Sequence, residues 1–170
     1  VVPDGRVIDT GNRNISHSEG QSYGMLLAEA NGDRDAFDRI WKWTNDTLGR
    51  RDVRLFAWQF DPMRGVADIN NATDGDLMIA WALYKAGKRW SSSAYLQASQ
   101  QVRDAIMKRL VVNFGGRTLL LPGMEGFTQP EAITVNVSYF VFPALDQFSK
   151  IDGRSGWQNL RDECLRLARE

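Results

Sequence analysis

Two carboxylates, Glu19 and Asp74, stand where chemistry can be done. Each opens an apolar helical run. The first run begins Ser16-His17-Ser18-Glu19-Gly20-Gln21-Ser22-Tyr23-Gly24, and the second begins Asn70-Asn71-Ala72-Thr73-Asp74-Gly75-Asp76. A third run opens with Asn136-Val137-Ser138-Tyr139. If these runs are neighbouring parallel helices, their starts share one end of the molecule, and Glu19, Asp74 and Tyr139 converge. A carboxyl pair beside aromatic rings is the equipment for cutting a glycosidic bond. One carboxyl protonates the leaving oxygen while another carboxylate activates water or attacks the sugar, and aromatic faces stack on pyranose rings. A general acid needs a raised pKa, whereas a helix N-terminus favours the carboxylate. Burial or a second carboxylate must outweigh that dipole.

Each residue also has a plainer role. Ser16-x-x-Glu19 has the form of a capping box. Asp74 is a candidate N-cap, and Asp76 suits a first helical turn, where acids are favoured. Trp58, in Leu55-Phe56-Ala57-Trp58-Gln59-Phe60, suits a core better than a sugar platform on its neighbours alone. His17, the single histidine, reads as a hydrogen-bonded structural group.

The elements that must carry these residues alternate in character. Val1 to Ser16 is a polar loop. A helix from Glu19 to Ala30 has little polar face and should be largely buried; Asn31-Gly32 ends it. The next presents Phe37, Ile40, Trp41, Thr44 and Leu48 on one stripe only. Asp61 to Asn71 reads as a loop. A third helix, about Asp74 to Ala86, is apolar all round and closed by Gly87. A fourth, about Ser92 to Leu110, is one-sided. Thr118 to Leu121 forms a short strand. A fifth helix, Thr134 to Phe148, is mostly apolar, and Pro143 fits it only near a helix start. A sixth, about Trp157 to Glu170, again buries one stripe. Inner helix followed by outer helix, three times, predicts an all-α toroid of the (α/α)6 type. Three hairpins do not close such a ring, so the 170 residues are read as roughly its N-terminal half, within one domain spanning 1–170.

Composition narrows the partners. Lys plus Arg and Asp plus Glu are both 21, so no basic footprint for nucleic acid exists at whole-chain level. Six Trp, eight Phe and four Tyr suit an uncharged ligand better. One cysteine and one histidine make a His/Cys metal centre unfavourable. Asp68-Ile69-Asn70-Asn71-Ala72-Thr73-Asp74 lacks calcium-loop spacing. No cofactor is implied. No apolar run is long enough to span a bilayer.

The words around Glu19 (Ser16 to Met25) and around Asp74 (Ala72 to Leu83) resemble the two signature segments of glycoside hydrolase family 8. The likeness is closest to the endo-β-1,4-glucanases that accompany bacterial cellulose synthesis. Gly5-Arg6-Val7-Ile8-Asp9, Leu55 to Phe60, Leu121-Pro122-Gly123 and Asn136 to Tyr139 extend it over nearly the whole chain, in order. Tyr84 stands where the family pattern has an aliphatic residue or Gly. The resemblance implies an (α/α)6 barrel, a β-1,4-glucan substrate and an inverting mechanism. It implies Glu19 as general acid and Asp74 as the aspartate that binds and helps distort the sugar. It implies Trp58 and Tyr139 as residues lining that subsite. The family's usual base is an aspartate of the second half of the barrel, which no segment here matches. A periplasmic or secreted location and work beside the cellulose-synthesis machinery follow only by analogy. Xylan or chitosan cleavage, or glycan binding without cleavage, are the alternatives.

Overall fold

The computed structural model describes residues 1–153 and 156–170. Among the described residues, six α-helices pack in three pairs: α1 (Ser18–Ala30) with α2 (Arg34–Trp43), α3 (Thr73–Arg89) with α4 (Ser93–Arg109), and α5 (Phe142–Ile151) with α6 (Trp157–Leu167). The first helix of each pair also packs on its counterparts, α1 on α3 and α3 on α5. The inner-and-outer alternation is therefore real. Along α3, every residue from Thr73 to Ala80 is buried, whereas α2 buries only Phe37 and Ile40.

The inner surface is not simply the apolar one. α1 buries Ser18, Gln21, Ser22 and Glu29 alongside Met25 and Ala28, yet leaves Tyr23 and Leu27 exposed. The expected near-complete burial of this helix fails along the stripe of residues 19, 23 and 27, one helical turn apart. The buried polar groups have work to do. Gln21 Oε1 accepts from Val7 N, and its Nε2 donates to Thr44 Oγ1 at 2.8 Å and Gly5 O at 3.3 Å. That one amide ties the N-terminal loop and the end of the second helical stretch to α1. At the other end of α1, Glu29 meets Lys85 at 2.9 Å and Arg89 at 3.0 Å, clamping α1 to α3.

Several boundaries move for identifiable reasons. α1 is capped by His17, whose ring accepts from Gly20 N, so Ser16 is not the cap. Ser16 instead sits in a strand and donates to Val7 O. Helix two ends in a π-helical turn, Thr44–Leu48. Gly87 does not close α3, which runs on to Arg89. Its place is dictated by packing, since a Cβ there would lie 2.6 Å from Leu96 Cδ2. The fifth helix does not start at Thr134. A 3-10 turn, Val137–Tyr139, comes first, and the helix starts at Phe142 with Pro143 in its first turn, the position a missing N–H tolerates.

The connections hold short antiparallel strands. Ser16–His17 pairs with Gln59–Asp61, which pairs in turn with Gly65–Asp68; Ser16 faces Phe60 and His17 faces Gln59. The stretch read as a loop from Asp61 to Asn71 is thus half hairpin. Val111–Phe114 and Arg117–Leu120 form another hairpin, close to the predicted strand. Among the described residues, no helix is long and apolar enough to cross a membrane.

Gly87→Val would push α4 off α3. We expect a stability loss of about 1–3 kcal/mol, as for overpacked cores, measured by urea unfolding; an unchanged midpoint would show that Leu96 gives way freely.

Candidate active site

Three helix or turn starts meet at one end of the molecule, and a cleft of about 230 Å³ opens between them. Asn12, Ile15, His17, Ser18, Glu19, Trp58, Ala72, Asp74 and Tyr139 line it. All four residues singled out from the sequence are in that set.

α1 delivers Glu19 from its first turn, with the side chain 40% exposed and so reachable by a ligand. α3 delivers Asp74, also in a first turn, 7% exposed. Asp74 is not the N-cap; Ala72 occupies that position and makes no side-chain cap. The two helix starts approach closely because residue 75 is glycine. A Cβ on Gly75 would lie 2.3 Å from Ser18 Oγ and 3.0 Å from Glu19 N. Trp58 is half-buried in the turn between Leu55–Phe56 and Gln59–Asp61. Its N–H donates to Asn70 O at 2.8 Å, and its carbonyl accepts from Ser18 N at 3.0 Å. The latter bond satisfies one of the free N–H groups at the start of α1. Tyr139 comes from the 3-10 turn ahead of α5.

The charges follow from this geometry. Burial raises Asp74 to about 6, against the pull of the Gly75 N–H, and the charge of Glu19 adds to the rise. The phenols of Tyr23 and Tyr139 are pushed up, first by burial and then by Glu19 and Asp74. The two carboxyls therefore feel one another. Tyr23 Oη donates to Glu19 Oε1 at 3.3 Å. His17 Nδ1 is the acceptor for Gly20 N, so in the neutral ring the proton sits on Nε2, 3.5 Å from Asp9 Oδ2. The same Nδ1 lies 3.9 Å from Glu19 Oε2.

Sequence reasoning counted Tyr23 within a largely buried helix, passed over Asn12, and gave Asp9 no role beyond a family-like word. The spacing of Tyr23 four residues after Glu19 was the available signal, since side chains so spaced meet on a helix. Asn12 carries no such mark, and spacing says nothing of Asp9; folding of the polar N-terminal loop brings both here. Among the described residues no cluster of His, Cys, Asp and Glu could hold a metal ion.

The sequence matches the family model "Glycosyl hydrolases family 8" over residues 1–170. The chain belongs to this family. It is 45% identical to an endoglucanase of Cellulomonas uda over 165 residues, 96% of this chain and 46% of that protein. A probable endoglucanase of Novacetimonas hansenii is 40% identical over 97% of this chain and 49% of its own length. Among solved structures, endoglucanase Cel10 of Klebsiella pneumoniae, a family 8 glycosyl hydrolase, superposes with a TM-score of 0.95 at 44% identity, over 98% of this chain and 55% of that one. The endo-β-1,4-glucanase CMCax of Acetobacter xylinum gives a TM-score of 0.93 at 39% identity, over 98% and 53%. The chain spans about half the length of the curated relatives it matches. Its three helix pairs are the repeating unit of the family's (α/α)6 toroid.

Asp74 binds its proton more tightly in the folded than in the unfolded chain. Its contribution to stability is thus full below pH 4 and falls away as pH rises through about 6. Asp74→Asn should raise stability at pH 8 more than at pH 4, by at most about 3 kcal/mol. Urea unfolding at the two pH values measures it; equal changes at both would refute the assignment.

Proposed function

We propose that the protein is an inverting endo-β-1,4-glucanase acting on cellulose-type chains. The observation that carries this reading is the shared cleft, with Glu19 and Asp74 on adjacent helix starts and Trp58 and Tyr139 among its walls. The endoglucanase relatives support the same substrate, and favour it over xylan or chitosan.

Glu19 is the general acid. It is the more exposed of the two carboxyls, and it lies within the first turn of α1, open to the leaving oxygen. Its proton passes to the glycosidic oxygen as the bond to the anomeric carbon breaks. Water attacks that carbon from the opposite face and gives its proton to a base about 6.5–9.5 Å from the acid, as inversion requires. Asp74 is not that base. The family resemblance assigns it another part, and a carboxyl raised to about 6 can donate to a sugar hydroxyl when protonated or accept from one when ionised. Its role is to grip and distort the ring at the cleavage point. Trp58 and Tyr139 present aromatic surface to that ring. The base is assigned to no residue of these 170; the family resemblance implies an aspartate of the barrel's second half. Work outside the cytoplasm, beside a cellulose-synthesis apparatus, belongs to the same reading.

Glu19→Gln in the full-length protein should cut hydrolysis of carboxymethylcellulose by roughly 10²–10⁴-fold while leaving affinity for cello-oligosaccharides largely intact. Reducing-sugar release and calorimetry read the two. Normal turnover by the variant would remove Glu19 from its role. Binding without any hydrolysis by the parent would leave the glycan-binding reading instead.

A further inference from the structure

One buried carboxylate takes no part in the site just described. Asp76 is 0% exposed, two residues beyond Asp74 on α3. A first-turn acid placed only for the helix dipole would be at the surface. Asp76 instead spends both oxygens on other segments. Oδ1 accepts from Phe56 N at 3.0 Å, and Oδ2 accepts from Asn71 Nδ2 at 2.7 Å. The Asn71 amide cannot turn over, because its Oδ1 accepts from Met124 N at 2.8 Å. Both acceptors at position 76 are thus demanded by the donors around it.

These bonds bear directly on the cleft. Phe56 is two residues before Trp58, and Asn71 adjoins Asn70, whose carbonyl holds Trp58 N. Asn70 Nδ2 in turn donates to Glu125 O, and its Oδ1 accepts from Glu125 N, beside Met124. Burial pushes Asp76 up, against the pull of the Asn71 amide, the Phe56 N–H and Arg50; with an N–H donor facing each oxygen, the hydrogen bonds call for the carboxylate. A group held at such cost marks a position where hydrogen-bond polarity matters.

We propose that Asp76 is a positioning residue, whose two accepting oxygens lock the Trp58 turn and the Asn70–Asn71 segment to the start of α3 and so fix Trp58 relative to Asp74. This rests on the reading of Trp58 and Asp74 as sugar-binding residues.

The test is a polarity swap. In Asp76→Asn, an NH₂ group must face either Phe56 N–H or the Asn71 NH₂, and no orientation satisfies all donors. In the double variant Asn71→Asp with Asp76→Asn, the new amide accepts from Phe56 N and donates to the new carboxylate, which still accepts from Met124 N. Made in the full-length protein, the single variant should lower kcat/KM on carboxymethylcellulose about tenfold or more, as slight misplacement at a site does. The double variant should recover to within about threefold of the parent. Protection from amide exchange at Phe56, Trp58 and Met124 should be lost and regained, and the ¹⁹F resonance of 5-fluorotryptophan at position 58 should shift and return, in step. If the single variant does not fold, regained fold and rate in the double variant carry the test. A single variant equal to the parent, or a double variant no better than the single, overturns the proposal. A parent without glucan hydrolysis would count against the endoglucanase reading alone, because the exchange and fluorine measurements still report on Asp76.

Discussion

The contact of Gly75 with Ser18 sets the geometry of everything at this end of the molecule. Two inner helices start side by side with no side chain between them at residue 75, and any Cβ there would sit 2.3 Å from Ser18 Oγ. Glu19 follows Ser18 and Asp74 precedes Gly75, so the touching residues are the sequence neighbours of both carboxyls. The close approach has further consequences. Ser18 N is free to take Trp58 O, which draws the aromatic turn over the joint. Thr73 donates from Oγ1 to Leu121 O at 2.6 Å and from N to Pro122 O, fixing the next connection against the start of α3. The loops around the cleft therefore take their positions from the paired helix starts.

Such a joint concentrates polar atoms where burial is expensive. Ser16, Ser18, Gln21, Asn71, Thr73, Asp74 and Asp76 are all buried around it. An apolar core would be less demanding, because each polar atom removed from water needs a partner. Ser18 Oγ, pressed against Gly75, has no partner among the described residues; for most of the others the partners are backbone groups of the connecting segments: Gly5, Val7, Phe56, Leu121 and Met124. Irregular segments have no ladder or helix to satisfy their N–H and C=O groups, and the buried side chains take that part. The apolar work is done farther along the helices. Ile79, Leu83 and Ala86 of α3 are fully buried, and Phe148 meets Trp157 edge to face where α5 packs on α6.

The alternation of inner and outer helices could be read from hydropathy because α3 is apolar on every side and α2 on only one. Helix ends were less legible. Gly87 looks like a stop signal, yet its reason is contact with Leu96 inside a continuing helix. Ser16 looks like a cap, yet His17 supplies it, since strand pairing with Phe60 claims Ser16 first. Pro143 was legible as an obstacle, and the helix does begin just before it. The four cleft residues were legible because each sits in a distinctive word at an element start or in a tight turn. Asp76 was visible only as an acid near a helix start. Its burial depends on Phe56 and Asn71 arriving from elsewhere, and local spacing carries no trace of that.

The electrostatic outcome at the cleft follows from competing magnitudes. A helix start favours a carboxylate by about 0.3–1 kcal/mol at exposed sites. Asp74 is at such a start, accepts from Gly75 N at 2.8 Å, and is still raised to about 6. Burial and the neighbouring Glu19 outweigh the dipole, since burial alone can move a carboxyl by several pKa units. Burial, and after it the same two acids, raise the phenols of Tyr23 and Tyr139. Among the described residues lining the cleft, His17 is the one basic side chain, and its ring already serves Gly20 N and faces Asp9. A carboxylate on the ring bound here would add negative charge beside two acids that already feel one another. An unsubstituted ring adds none. Under the glucanase reading proposed above, its hydroxyls can donate to or accept from the two carboxyls, according to their protonation, and its apolar faces can lie on Trp58 and Tyr139.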